Sequence, residues 1–329
     1  MSIKIIFSCQ ADFHGVALQE ILAVNNEIKF IKWLGGGVGL LDYAGEFDEF
    51  SQLIKAQSLI FLRHIFPAEY TAQDINFIQD FEPRMSQNKN FSVQIRASEN
   101  NKIYKPPEIK EKITDYFKQK GFAENKRDPE QIISVYLTDN NIYAGLSQAE
   151  QNLSIWSGGM RHYAMREDII SRAGFKLMEA LEAYPIDFNN STALDLGAAP
   201  GGWTKVLLDY GLRVTAVDPV ELSPELQANK NVEYYQERAH EYIKKSNKKF
   251  NLIVNDMSMN IFTSINFILS LKNRLNKDGH IIITFKLTKQ DRLNKIKDGL
   301  KILSNHFEPV FIRQLFHNRS EITVILKKN

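Results

Sequence analysis

The chain has 329 residues, 43% of them hydrophobic and 24% charged, with a formal net charge of +2 at pH 7 and a single cysteine, Cys9. That length predicts about two or three domains and a sizeable core, and so small a net charge does not by itself demand a nucleic-acid partner. One cysteine excludes an internal disulfide and a multi-cysteine metal site, so no metal is called for, and it fits a reducing cytoplasm. No apolar run approaches the roughly 18 residues of a membrane helix. The stretch Met1-Ser-Ile-Lys-Ile-Ile-Phe7 is too brief for a signal peptide and reads as a first strand.

Residues 1–67 alternate short strand and helix signals, strand-like over Lys4 to Ser8 and helix-like over Val16 to Val24, and read as a small α+β domain. Gly35-Gly36-Gly37 does not follow a strand and open a helix as a phosphate loop does, so a hairpin turn is the expectation. Residues 68–156 form a second α+β unit. Phe91 to Arg96, Ile132 to Leu137 and Ile142 to Leu146 read as strands, and Asp139-Asn-Asn141 as a turn. Pro106-Pro107 opens a helix with Ile109, Ile113, Tyr116 and Phe117 at helical spacing. Between Lys102 and Arg127 eight basic residues face four acidic ones, a local net of +4. This run fits either a solvated helix face or a surface that tracks phosphates, with Tyr104 and Tyr116 as candidate stacking residues. Lys244-Lys-Ser-Asn-Lys-Lys249 reads as a solvated basic loop.

Residues 157–170 read as a linker, and 171–329 as an α/β domain. Strands are expected at Ala193 to Leu196, Arg213 to Val217, Asn231 to Tyr235, Phe250 to Val254, His280 to Phe285, Pro309 to Leu315 and Glu321 to Leu326. Helices are expected at Trp203 to Asp209, Ile261 to Leu275 and Asp291 to Asn305. The alternation predicts a mostly parallel seven-stranded sheet covered on both faces, closed by an antiparallel C-terminal hairpin strand.

Asp195-Leu-Gly-Ala-Ala-Pro-Gly-Gly-Trp203 joins a strand to a helix. Its glycines permit close backbone approach to a ligand, but it lacks the G-x-G-x-x-G spacing of a dinucleotide site. Asp218 ends the next strand, where a carboxylate can hold both hydroxyls of a ribose. An acidic, phosphate-free crevice suits S-adenosylmethionine better than NAD.

Ligands in open α/β sheets bind outside the carboxyl ends of the strands. Asp256 and Lys286 follow two such ends, Glu321 begins the closing strand at the same edge, and Lys176 lies on the helix before the first strand. Singly each has a bland reading: a solvated lysine at 176, a helix N-cap at 256, a strand-ending charge at 286, an exposed edge strand at 321. Together they suit methyl transfer to a weakly acidic hydroxyl, with Lys286 as base and Lys176, Asp256 and Glu321 in support.

Ser171-Arg-Ala-Gly-Phe-Lys176, Asp195 to Trp203, Asn255-Asp256-Met257, Lys286 and Ser320-Glu321 resemble the motifs of FtsJ/RrmJ-type 2′-O-ribose methyltransferases. Phe285-Lys286-Leu287, Arg313-Gln-Leu-Phe-His317, Glu321-Ile-Thr-Val324, Leu59-Ile-Phe61 and Tyr143-Ala-Gly-Leu-Ser147 are similar to the RlmM type, which acts on 23S ribosomal RNA. The resemblance implies a ferredoxin-like domain, a THUMP RNA-binding domain and a Rossmann-like methyltransferase domain that uses S-adenosylmethionine. It implies a cytidine ribose in the peptidyl-transferase loop as target, modified before the subunit assembles. It places Ser171, Ala199, Pro200, Gly201, Gly202, Asp218 and Asp256 on the cofactor, and Gly197 and Trp203 of the same turn are expected to bind it too. Two departures stand out. Arg238 occupies the place of an adenine-side acid, with Glu237 beside it, and no proline follows Asp256-Met257.

Other chemistries fit less well. Carbon-5 methylation of cytosine uses a cysteine nucleophile, and Cys9 lies far from the catalytic segment. Amino-group methylation commonly uses an Asn/Asp-Pro-Pro-aromatic loop, and here that place reads Asn255-Asp-Met-Ser258. A non-catalytic RNA-binding adapter has no need of the tetrad, and a small-molecule methyltransferase has no need of the large, locally basic front half.

Overall fold

The computed structural model describes residues 2–165, 169–288 and 292–329. Residues 166–168 of the expected linker 157–170 and the expected helix start at Asp291 lie outside the described residues. The chain divides into two units, Met1–Arg161 and His162–Asn329.

The first unit begins with β1 (Ile3–Ser8), α1 (His14–Leu22), β2 (Ile28–Gly35), β3 (Val38–Tyr43), α2 (Phe47–Lys55) and β4 (His64–Pro67). Their sheet has the order β2-β3-β1-β4 with antiparallel neighbours, the split β-α-β arrangement of a ferredoxin-like unit. The triple glycine forms the β2–β3 turn, with Cys9 donating its amide to Gly37 O at 2.9 Å. A second sheet follows from β5 (Tyr70–Ala72), β6 (Phe91–Ala97), α3 (Pro106–Gln119), β7 (Gln131–Leu137) and β8 (Ile142–Gln148), in the order β5-β8-β7-β6. β6 and β7 run parallel, so α3 is their crossover. Ile109, Ile113 and Phe117 of α3 pack with Phe91, Val93, Ile133 and Val135, as their helical spacing requires. The two sheets share a further core of Ile6, Val38, Leu40, Phe66, Tyr136 and Tyr143. Residues at the start of the expected linker are also held: Ser8 Oγ donates to Gly158 O at 2.8 Å.

The second unit contains α4 (Gly174–Ala183), β9 (Thr192–Leu196), α5 (Gly202–Asp209), β10 (Arg213–Val217), α6 (Pro224–Gln227), β11 (Val232–Tyr235), α7 (Ala239–Lys245), β12 (Phe250–Asn255), α8 (Ile261–Ser270), β13 (Leu275–Lys286), α9 (Arg292–Leu303), β14 (Phe307–Arg313) and β15 (Glu321–Lys328). Its seven-stranded sheet runs β11-β10-β9-β12-β13-β15-β14. β11 to β13 are parallel neighbours, and β15 is antiparallel to both β13 and β14. This is a Rossmann-like α/β fold. Leu194, Leu196, Ile253, Val254 and Ile281 to Ile283 are buried, the continuous apolar runs of strands covered on both faces.

Strand order reverses at β9, whose neighbours β10 and β12 lie on opposite sides. The carboxyl ends of β9 and β12 therefore open the crevice where this fold binds ligands. One helix is shorter than its pattern suggests. α8 stops at Ser270 because Leu275 pairs with Phe250 and starts β13 five residues before His280. Among the described residues no helix is long and apolar enough to cross a membrane.

Candidate active site

Register builds half of the site. β13 and β15 pair antiparallel with Lys286 directly opposite Glu321, so the end of one strand and the start of the other present opposite charges side by side. Asp256 follows β12, the parallel neighbour of β13. Lys176 comes from the first turn of α4. The four side chains close a ring in which lysines and carboxylates alternate. Lys176 Nζ lies 2.9 Å from Asp256 Oδ2 and 2.5 Å from Glu321 Oε1. The contact with Oε1 is an ion pair by distance without hydrogen-bond alignment, since Oε1 has no hydrogen-bond partner. Lys286 Nζ donates to Asp256 Oδ1 at 3.0 Å and to Glu321 Oε2.

Side-chain exposure is 16% for Lys176, 17% for Asp256, 25% for Lys286 and 6% for Glu321. The ring is therefore mostly desolvated but open at Lys286. Burial disfavours the charge on Lys176, but the carboxylates of Asp256 and Glu321 outweigh it and hold its pKa above the usual value. The bland readings do not describe Asp256 and Glu321. Asn260, not Asp256, caps α8, accepting from Thr263 N at 3.0 Å. Glu321 lies on a strand with neighbours on both sides and is buried.

Thr284 is a member of the site that sequence reading missed. Its hydroxyl donates to Asp256 Oδ1 at 2.6 Å. It sits two residues before Lys286 on β13, so it shares a strand face with that lysine, which was the available signal. Asn255 was read with its motif but given no role of its own. Its Oδ1 accepts from Met257 N at 2.8 Å and fixes the turn after β12 without a proline. Its buried Nδ2 has no partner.

The glycine-rich turn leaves β9 and enters α5. Gly197 has φ +78°, and an added Cβ would lie 2.4 Å from Met257 Cγ. Gly201 has φ +120°, and an added Cβ would lie 2.1 Å from Leu226 Cδ1. Only glycine suits such backbone angles in so close a fit. Asp218 follows β10. Its Oδ2 accepts from Ala199 N at 3.1 Å and its Oδ1 from Val220 N at 2.7 Å, which binds the turn to the strand end. Pro200 O accepts from Ser223 N at 3.1 Å. Gly202 opens α5 with its backbone against Ser171 and Gly174. Ser171 Oγ accepts from Ala173 N at 3.2 Å at the entry to α4.

Trp203 is placed differently from its expected cofactor role. Its indole is buried in the core beneath α4 and donates to Ala173 O at 2.8 Å, so the side chain packs and braces the turn. Asp195 is fully buried and accepts from Thr204 Oγ1 at 2.6 Å. Burial, against the Thr204 hydrogen bond and with the nearby charges of Asp256 and Asp218, raises its pKa from 3.8 to about 7.

Other sequence candidates are partly spent on local pairing. In the basic run of the first unit, Lys105 pairs with Glu108, Lys118 and Lys126 with Glu124, and Lys120 with Glu82. In the basic loop of the second unit, Lys248 pairs with Glu233. Glu237, beside Arg238 after β11, pairs with Lys245 at 2.6 Å.

Residues 169–315 match the FtsJ-like methyltransferase family. The chain is 33% identical over 171 residues to an uncharacterised protein of Methanocaldococcus jannaschii, covering 48% of this chain and 47% of that one. It is 28% identical over 206 residues to the ribosomal RNA large subunit methyltransferase M of Halorhodospira halophila, covering 61% and 59%. The corresponding protein of Psychromonas ingrahamii is 28% identical over 205 residues, covering 57% and 54%. The chain thus spans about half to three-fifths of the length of these relatives. The family match falls on the segment that holds the turn and the ring, and a methyltransferase of that kind would draw on S-adenosylmethionine. The turn fits that donor: it brings glycine backbone, the fixed carboxylate of Asp218 and the unpartnered Asn255 amide to one crevice.

Proposed function

We propose that this protein transfers a methyl group from S-adenosylmethionine to a ribose 2′-hydroxyl of large-subunit ribosomal RNA. The observation that carries this reading is the closed ring of Lys176, Asp256, Lys286 and Glu321 beside the glycine-rich turn. When bound, S-adenosylmethionine supplies a methyl carbon on a positively charged sulfur that leaves with the bonding electrons.

The protein's part is to hold and deprotonate. The turn from Gly197 through Ala199, Pro200, Gly201 and Gly202, with Ser171, Asp218 and Asp256, holds the donor, and Trp203 supports that turn from the core. Lys286, the more exposed lysine of the ring, gives up its ammonium proton to solvent and, as the neutral amine, takes the proton from the 2′-oxygen as that oxygen bonds the methyl carbon. Lys176 keeps its charge on the two carboxylates and fixes their positions. Asp256, held also by Thr284, and Glu321 orient Lys286 and compensate its charge once it is protonated. Positioning supplies much of the rate, because the acceptor oxygen must meet the methyl carbon in line with the leaving sulfur.

The finer assignment rests on the resemblance to the RlmM type. It makes the target a cytidine in the peptidyl-transferase loop of 23S RNA, modified in the cytoplasm before subunit assembly, with residues 68–156 as a THUMP-like RNA-binding segment. The test uses isotopically labelled methyl donor and 23S RNA, followed by alkaline hydrolysis. A 2′-O-methyl group blocks strand cleavage at its own phosphate, so the label is expected in alkali-resistant dinucleotides that begin with cytidine. Label in mononucleotides would show base methylation and overturn the ribose assignment.

A further inference from the structure

The segment Arg313 to His317 carries part of the narrower family resemblance, yet the chemistry above does not use it. β14 runs parallel to β13, so its end at Arg313 and the following loop to Glu321 lie at the same sheet edge as Lys286. The loop is held from beneath. Glu179, one helical turn after Lys176 on α4, accepts from Phe316 N and His317 N, each at 2.8 Å. Buried Asn318 accepts through Oδ1 from Leu315 N at 2.9 Å and from Thr323 Oγ1 at 3.1 Å. Gln314 Nε2 donates to Arg319 O at 3.2 Å.

This polar bracing presents aromatic rings. Tyr163, Phe175 and His317 meet as a triangle with centroids 5.2–5.3 Å apart. Phe316 meets His162 edge-on at 4.8 Å and His317 edge-on at 5.0 Å. Phe175 is buried, Tyr163, Phe316 and His317 are half-buried, and His162 is exposed. His162 is the exposed member, Phe316 is the ring edge-on to it, and the backbone of Phe316 is tied to Glu179, one helical turn after Lys176.

We propose that His162 and Phe316 form a stacking surface for an unpaired RNA base at or next to the methylated nucleotide. The inference rests on the ribose-methylation reading above. Unstacked bases of single-stranded RNA are commonly held on aromatic side chains, and stacking tolerates any base because each has a π-face. Such a surface positions the ribose over the tetrad without touching the reacting atoms, so Phe316 and His162 are positioning residues.

The test measures kcat and the RNA KM for the full chain on 23S RNA at saturating S-adenosylmethionine, with donor affinity measured separately. Phe316→Leu keeps an apolar side chain and loses the ring; Phe316→Trp keeps a ring; His162→Ala alters an exposed position with little risk to folding. Loss of one base stack predicts that Phe316→Leu raises the RNA KM by about tenfold, with His162→Ala in the same direction. Phe316→Trp is expected to restore the parent KM, and donor affinity is expected to stay at the parent value throughout. An unchanged RNA KM in both Phe316→Leu and His162→Ala, or a Phe316→Trp no better than Phe316→Leu, would overturn the inference while leaving ribose methylation intact. A parent chain that transfers no methyl to the RNA would instead remove the function on which the inference depends.

Discussion

Asp195→Asn is expected to stabilise the second unit above neutral pH. The Asp195 carboxyl is fully buried and accepts one side-chain hydrogen bond, from Thr204. Burial and the neighbouring charges raise its pKa from 3.8 to about 7. The sign follows from linkage. An acid whose pKa is higher in the folded state binds more protons folded than unfolded, so its contribution to stability falls as pH rises from about 4 to about 7. Each tenfold change in proton affinity is about 1.4 kcal/mol, so the full displacement is about 4 kcal/mol. Asparagine is nearly isosteric, its carbonyl still accepts from Thr204, and it does not ionise. Relative to the parent, Asp195→Asn should be neutral near pH 4 and gain up to about 4 kcal/mol by pH 8. Hydrogen exchange at the β9 amides, read in both proteins across this range, reports the opening of this strand without requiring the whole chain to unfold in one step. A difference between the two proteins that stays flat from pH 4 to 8 would refute an uncharged, buried Asp195.

Glu321→Gln leaves two lysines sharing Asp256, and removing one partner of a largely buried pair should cost about 3 kcal/mol, seen as a lower unfolding midpoint at pH 7. The pKa of Lys176 is raised, so its ion-pair stabilisation is present below its ordinary value of 10.5 and lost as pH climbs beyond it; Glu321→Gln should begin alkaline unfolding at lower pH than the parent, and identical alkaline midpoints would contradict this. Trp203→Ala empties a core site and removes the hydrogen bond to Ala173, so stability should fall by about 3–5 kcal/mol in chemical denaturation. Gly201→Ala puts a methyl group against Leu226 at a φ of +120°; calorimetry should show weakened S-adenosylmethionine binding, and parent-like affinity would count against the turn as the donor site.

The sheet was legible because its parallel strands are short, largely apolar runs with charged or glycine-rich ends, as at Ala193 to Leu196, broken only by Asp195, and Phe250 to Val254, broken only by Asn251. The tetrad was legible for the same reason: Asp256, Lys286 and Glu321 sit where apolar runs end or begin. What periodicity does not encode is register between distant strands. The opposition of Lys286 and Glu321 is a long-range pairing, and the contact of Thr284 with Asp256 rests on another, between β12 and β13. Trp203 was read with its turn, but the packing of α4 on α5 draws its indole inward. α8 follows its apolar spacing only to Ser270, where pairing of Leu275 with Phe250 overrides local propensity. The basic run 102–127 has a net positive count, yet Glu108, Glu124 and Glu82 pair with four of its lysines, and composition does not reveal such pairing.

The most direct test of the account is the single-turnover rate of methyl transfer to the ribose of 23S RNA by the parent and by Lys286→Ala, both saturated with S-adenosylmethionine. A general base is worth on the order of a hundredfold or more. The account predicts a loss of at least that size in Lys286→Ala, with donor affinity unchanged. Transfer by Lys286→Ala at the parent rate would contradict it.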